Sequence, residues 1–335
     1  MMKGKRVNDV KVFITIDVEE DGWGEYKTTG YTVDNVTRIP LIQDLFDHYG
    51  AVPTYLVNYP VIKNEQARSI LLSILDRNRC EIGAHCHPWN TPPFIEEINI
   101  HNSMLCNLPY EIQYKKIETL HEAIIDGLGL VPVCFRAGRY GFGSGVAKCI
   151  HELNYQIDTS VTPFTDWSNS SGPDFWNALY FPYRFDVSDF FLEKENGSLL
   201  EVPVTVGFMK NNFKLSGNIL RWILRMDLPR LHLVGILDRM GILNHRWLSP
   251  EKSSGRDMIL LAKNFMRQGY HYLNMTFHST TLLPGKSPFV CDEKELNRFM
   301  NDIEIFLMFA QKSGMEFIPL SSALEIFHGR KCNDN

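Results

Sequence analysis

Two short runs concentrate groups that can do chemistry: Asp17-Val18-Glu19 and His85-Cys86-His87. Each follows a run that reads as a strand, Val12 to Ile16 for the first and Glu81 to Ala84 for the second. Successive side chains on an extended chain alternate faces, so residues two apart project the same way. Asp17 and Glu19 therefore project together, as do His85 and His87, while Cys86 points away. Pro88 favours extended backbone at His87. Two carboxylates and two imidazoles near strand ends make a site for a divalent metal, and such a site points to metal-assisted hydrolysis.

Strands and helices alternate along the chain that must position these groups. Asp34, an N-cap residue, opens a helical stretch that runs to Gly50, with Val36, Ile39, Ile42, Leu45 and Phe46 at helical spacing. Strand Val52 to Val57, helix Asn64 to Arg79 and strand Glu81 to Ala84 follow. Tyr110 to Leu128 reads as a helix with Pro109 at its start. Strand Val131 to Phe135 ends at Arg136, and strand Tyr155 to Asp158 follows a short helix. Residues Thr162 to Asn196 read as a long loop, Leu199 to Val206 as a strand, and Asn218 to Leu243 as two helices split by Pro229. A helix opens at Ser249-Pro250-Glu251. Strand His271 to Phe277 ends at His278, and helix Glu293 to Ser313, strand Glu316 to Pro319 and a last helix complete the chain. Such alternation predicts a parallel sheet. Asp17, His85, Arg136, Asp158 and His278 all fall at or just past strand ends, the face on which parallel barrels build active sites.

The bulk properties narrow the function. The chain has 335 residues, enough for a large α/β core. A net charge of -5 argues against a nucleic-acid partner. No run approaches a membrane span, and the polar N-terminus followed by an acidic cluster does not read as a signal peptide. The expected location is cytoplasmic. The seven cysteines are odd in number and scattered, which suits reduced thiols. The basic, apolar stretch Ile219 to Leu243 reads as an insertion packed over the barrel rather than a membrane-surface helix.

These motifs resemble the polysaccharide deacetylase family, the NodB-homology or carbohydrate esterase family four group, over roughly Val12 to His328. The resemblance implies a distorted (β/α) barrel of about seven parallel strands. It also implies a single catalytic domain over residues 1–335, with an insertion around 162–255. Phe13-Ile14-Thr15-Ile16-Asp17-Val18-Glu19 is similar to the first family motif and implies Asp17 as catalytic base and Glu19 as metal ligand, with Asp21 as the alternative ligand. Glu81-Ile82-Gly83-Ala84-His85 matches the first half of the second motif. Trp89 stands four residues after His85, where the family places its second histidine, so His87 takes that place. Phe135-Arg136-Ala137-Gly138-Arg139-Tyr140-Gly141 resembles the third motif, with Arg136 orienting the base. Asp158 in Ile157-Asp158-Thr159 would tune the acid, and His278 in Phe277-His278-Ser279 would be the acid itself. Tyr140, Trp89 and Glu201 would contact substrate.

The implied activity is removal of an acetyl group from an N- or O-acetylated sugar, polysaccharide or sugar precursor. The implied cofactor is one divalent ion, zinc first, with cobalt, manganese or iron as alternatives. Two other readings remain: a cyclic-amide hydrolase on the same fold, and a relative that binds glycan without cleaving it. The oligomeric state is left open.

Overall fold

A computed structural model describes residues 10–210, 212–226, 238 and 243–327. Eleven strands are present among them: β1 (Lys11–Val18), β2 (Thr54–Val57), β3 (Glu81–Cys86), β4 (Cys134–Ala137), β5 (Ile157–Asp158), β6 (Tyr183–Phe185), β7 (Leu199–Glu201), β8 (Val206–Phe208), β9 (His245–Trp247), β10 (Tyr272–His278) and β11 (Glu316–Phe317). Seven of them form a curled parallel sheet in the order β10-β1-β2-β3-β4-β5-β7. The short β11 lies parallel to the first residues of β1, and β6 runs antiparallel along the edge of β7. The seven-stranded parallel barrel expected from the motifs is thus present, and it is distorted at one place. Between β7 and β10 the ladder gives way to irregular backbone. There Thr205 N–H donates to Asn274 O (3.1 Å), Leu248 N–H to Thr205 O (2.8 Å) and Thr276 N–H to Leu248 O (3.1 Å). The hairpin of β8 and β9 projects from this seam.

Registered neighbours in a parallel ladder face the same side, so the pairing sorts every strand residue into inside or outside. Asp17 is in register with both His278 and Leu56, Leu56 with Gly83, and Cys134 with Ile157, while the tilt of the strands sets each residue's height in the barrel. The inside is built in floors. The lowest is apolar: Phe13, Leu56, Cys134, Ile157 and Leu200, closed below by Leu320 and Ala323. Above it lies a polar floor of Thr15, Arg136, Asn274 and Thr276, all buried. The uppermost carries Asp17, His85 and His278. Gly83 is required in this stack, because a Cβ there would lie 2.6 Å from Leu56 Cδ2 and 2.8 Å from the Cys134 carbonyl oxygen.

The outside of the sheet carries Val12, Ile14, Ile16, Val18, Ala84, Cys86 and Phe135 and is covered by helices in one continuous apolar cluster. Helix Ile39–Tyr49 has Pro at its start and stops at Gly50, whose φ of +70° is costly for any other residue. Helix Tyr110–Leu128 falls where its periodicity predicts. Helix Gly255–Arg267 starts later than expected, capped by the Ser254 side chain, which leaves Glu251 in the turn before it. The expected strand Leu199 to Val206 is broken into β7 and β8 at the barrel's seam. A helix at Phe213–Arg225 begins earlier than anticipated because Asn212 caps it, and most of the anticipated second helix up to Leu243 lies outside the described residues. Among the described residues no helix is long and apolar enough to cross a membrane, and the six cysteines are unpaired.

Candidate active site

The site opens at the C-terminal ends of the barrel strands, in a cavity of about 300 Å³ lined by residues that include Asp17, Glu19, His85, His87, Tyr140 and His278. Glu19, His85 and His87 present one ligand atom each, all within 4.8 Å of one another and all buried. The Glu19 Oε2 stands 3.3 Å from His87 Nε2 and 3.6 Å from His85 Nε2. Ligands held about 2.0–2.2 Å from a tetrahedral ion are themselves about 3.3–3.6 Å apart, so the spacing fits a zinc-sized cation.

The far sides of both rings are committed. His85 Nδ1 lies 3.2 Å from the Arg136 carbonyl oxygen, and His87 Nδ1 lies 3.1 Å from Glu20 Oε2. Donation from each Nδ1–H leaves the Nε2 lone pair facing Glu19, the tautomer a metal requires. Glu20 is itself held by Trp89 Nε1 (2.9 Å) and by the Asn58 amide. Trp89 also stacks on His87, with ring centroids 4.1 Å apart. Gly138 must be glycine for this ring to fit, since a Cβ would sit 2.4 Å from His87 Cδ2 and 2.7 Å from the Cys86 carbonyl oxygen.

Electrostatics point the same way. Burial opposes ionisation of Glu19, yet His278, His85 and His87 hold its carboxyl well below the usual range. Burial likewise opposes a charged His87, yet Glu20 and Glu19 push it up to about 10. The rise at His87 records the buried negative charge of Glu19 and Glu20 beside its ring. A divalent cation would neutralise it, and the N, N, O donor set fits the ion. Cys86, by contrast, faces the outer core, and burial pushes its thiol up to about 12.

Beside this cluster stand Asp17 and His278. Asp17 Oδ1 accepts a 2.6 Å bond from Arg136 Nη1. The guanidinium is wholly buried and fully satisfied: Nε donates to Thr159 O (2.9 Å), Nη1 also to Thr276 Oγ1 (2.9 Å), and Nη2 to Thr15 Oγ1 (2.7 Å) and Thr159 Oγ1 (3.2 Å). Burial alone would raise the Asp17 carboxyl, but Arg136, with His85 and His278, holds it below its ordinary value. His278 Nε2 lies 3.7 Å from Asp17 Oδ2. On its other side His278 Nδ1 lies 2.9 Å from Glu251 Oε2. Glu251 also accepts from the His278 backbone N–H (2.9 Å) and from Thr281 Oγ1 (2.7 Å).

The expected residues thus divide. Asp17, Glu19, His85, His87, His278, Tyr140 and Trp89 share the cavity, with Arg136 directly beneath it. Asp158 and Glu201 do not reach it. Asp158 is level with Phe135, and Glu201 with Asp158, so both side chains face out of the barrel. There Asp158 accepts from Ser160 N–H (3.0 Å) and Ser160 Oγ (2.8 Å), and Glu201 accepts from Val161 N–H (3.1 Å). The two buried carboxyl groups influence each other's ionisation. Burial pushes Asp158 up to about 6 against the lowering influence of Glu201 and Ser160, while burial and Asp158 together push Glu201 well above its ordinary value. The carboxylate against His278 is Glu251, not Asp158. Asp21, the alternative ligand, instead binds the Asp34 N–H (2.9 Å), the Asn35 amide (2.8 Å), Thr32 and Lys286 (3.2 Å), and so ties a loop.

Glu20 and Glu251 were not singled out from sequence. Glu20 adjoins the first motif and its acidity alone marked it. Glu251 carried no signal, because Ser249-Pro250-Glu251 looks like a helix start.

No family model matches the chain, and no curated protein matches it in sequence. Solved structures do match. One is a protein from Mycobacterium smegmatis provisionally assigned as a polysaccharide deacetylase, at 16% identity and TM-score 0.56, covering 100% of this chain and 97% of that one. Another, from Parabacteroides distasonis, is provisionally assigned as a glycoside hydrolase/deacetylase, at 9% identity and TM-score 0.63, covering 98% and 73%. A third is the PuuE allantoinase, at 11% identity and TM-score 0.52, covering 98% and 93%. At these identities the likeness is one of fold. The chain has the NodB-type barrel fold of the polysaccharide deacetylases.

Proposed function

We propose that the protein is a metal-dependent hydrolase that removes an acetyl group from an acylated carbohydrate or sugar precursor, and that the whole chain serves one catalytic unit. The observation that supports this most is the pairing across one cavity of a guanidinium-bound carboxylate, Asp17, with a carboxylate-bound imidazole, His278, beside a Glu-His-His cluster. Glu19, His85 and His87 would hold one divalent ion, with zinc the best match to two imidazoles and one carboxylate. When bound, such an ion would polarise the acyl carbonyl and acidify a nearby water.

The residues supply the rest. Arg136 keeps Asp17 ionised and fixes the direction of its free oxygen, which makes Asp17 the base for the attacking water. His278, held cationic by Glu251, gives its Nε2 proton to the departing amine or alcohol as the C–N or C–O bond breaks. His87 and His85 are oriented by Glu20 and the Arg136 carbonyl oxygen. Tyr140, Trp89, Trp167 and Trp247 provide ring faces against which a sugar can pack.

The test is acetate release from a panel of N- and O-acetylated sugars by zinc-loaded protein, with Asp17→Asn and His278→Gln as controls. Acetate release that is lost in both variants is expected. Ammonia or a ring-opened product from cyclic amides, without acetate, would replace this reading with a cyclic-amide hydrolase. Glycan binding that survives metal removal, with no turnover on any substrate, would replace it with a binding protein.

A further inference from the structure

Charge balance in the cavity leaves two groups over. The lining holds five carboxylates, and each has a partner: Asp17 with Arg136, Glu20 with His87, Glu25 with Lys27 (2.6 Å), Glu251 with His278, and Glu19 with the two imidazoles. Two further cations line the same cavity, Arg139 and Lys252. Neither forms an ion pair with any described residue.

Their placement is specific. Arg139 and Tyr140 are consecutive non-glycine residues with positive φ, +54° and +59°. Backbone held in this region is costly for a residue with a Cβ and concentrates at working sites. Here it turns Tyr140 into the cavity and lifts Arg139 to its rim. Arg139 Nη1 bonds Ser103 Oγ and the Ile100 carbonyl oxygen (3.4 Å), and the guanidinium lies 5.1 Å over the Tyr26 ring. Its Nε and Nη2 have no hydrogen bond within the described residues. Lys252 Nζ lies 4.8 Å over Trp247 and makes none either.

Each cation also ends an aromatic row that starts at the chemistry. One row runs from His87 to Trp89 (4.1 Å), to Tyr26 (5.0 Å) and to Arg139. The other runs from Arg136 to Tyr140 (6.0 Å), to Trp247 (6.1 Å) and to Lys252. Ring faces suit the apolar faces of sugars, and a guanidinium or ammonium held without a counter-ion suits an oxyanion.

We infer that the sugar bound here carries an oxyanion, a phosphate ester or a carboxylate, and that Arg139 and Lys252 are the residues that select it. The inference rests on the deacetylase reading and narrows its substrate class. It is tested by binding, so that the two can fail separately. Tryptophan fluorescence of zinc-loaded protein is titrated with N-acetylglucosamine, with N-acetylglucosamine 1-phosphate, and with an N-acetylglucosamine–glucuronate disaccharide. At least one anionic probe is expected to bind about tenfold or more tightly than the neutral sugar at low salt. That preference is expected to collapse in the Arg139→Gln/Lys252→Gln double variant and, in the unaltered protein, at about 0.5 M salt. Preference for the phosphate alone identifies a phosphate ester, and preference for the uronate alone a carboxylate. Equal binding of all probes, binding of none, or a preference that survives high salt or the double variant overturns the inference. Acetate release is followed in parallel. Release without anion preference leaves the deacetylase reading standing and removes this one, and anion preference without release does the reverse.

Discussion

Replacing Glu251 with glutamine isolates the charge that sets the acid. The amide keeps an acceptor for the His278 backbone N–H and for Thr281, so the turn is preserved. What it removes is the strongest influence raising His278. Burial by itself would lower that imidazole, but Glu251, with Glu19 and Asp17, pushes it up to about 9 from 6.5. With a value of about 9, roughly nine-tenths of the imidazole is cationic at pH 8; near 6.5, only about 3% would be. The variant should therefore lose on the order of 30-fold in kcat/KM at pH 8 and less than about twofold near pH 6. Acetate release across that range gives both limbs of the profile. The same shift predicts a stability signature. A histidine raised in the folded state contributes its full stabilisation below 6.5 and loses it as pH rises through about 9. The gap in melting temperature between the two proteins should be widest in acid and close above that pH. An alkaline limb that stays in place in Glu251→Gln would refute the assignment of His278 as an acid governed by Glu251.

Other perturbations probe separate parts of the site. Glu20→Gln should weaken zinc binding about 10- to 100-fold by releasing His87, measured by competition with a chelator, while leaving the fold intact. Gly138→Ala forces a Cβ against the His87 ring and the Cys86 carbonyl and should cost about 1–3 kcal/mol in chemical denaturation, with loss of bound metal. Asp158→Asn should leave kcat within about threefold, because that side chain faces away from the cavity; a collapse of kcat would show that it acts on the chemistry after all. Asp158 is raised from 3.8 to about 6, so its contribution is present below 3.8 and lost as pH rises through 6. The variant should accordingly fall less in melting temperature than the unaltered protein between those pH values.

Much of this arrangement can be read from the chain, and the failures have a common cause. Alternation on an extended strand correctly puts Asp17 with Glu19 and His85 with His87, and excludes Cys86. The floors of the barrel follow from Phe13, Thr15 and Asp17 on one face of one strand. Strand ends, however, say nothing about parity. Asp158 sits at a strand end as Arg136 does, but β5 is registered one position out of phase with it, and a shift of one residue turns a side chain from inside to outside. Glu201 follows Asp158 outward for the same reason. Glu251 was hidden differently: it lies on no strand, and its contact with His278 joins residues 27 apart that only the barrel's irregular seam brings together. Register and seam are properties of the assembled sheet, and local composition carries little trace of either.

The position of β1 has a consequence for how the protein comes into being. It precedes every other described strand, yet it lies between β2 and β10, and the Glu19 backbone N–H bonds a serine 260 residues further along the chain. The base, Asp17, is therefore synthesised long before the acid, His278. A chain that stops short of Tyr272 carries the metal ligands but no proton donor, and it leaves one edge of β1 without a neighbour, the kind of exposed edge that invites pairing with other chains. Closure of the barrel and completion of the reactive site are one event, deferred until β10 exists to pair with β1.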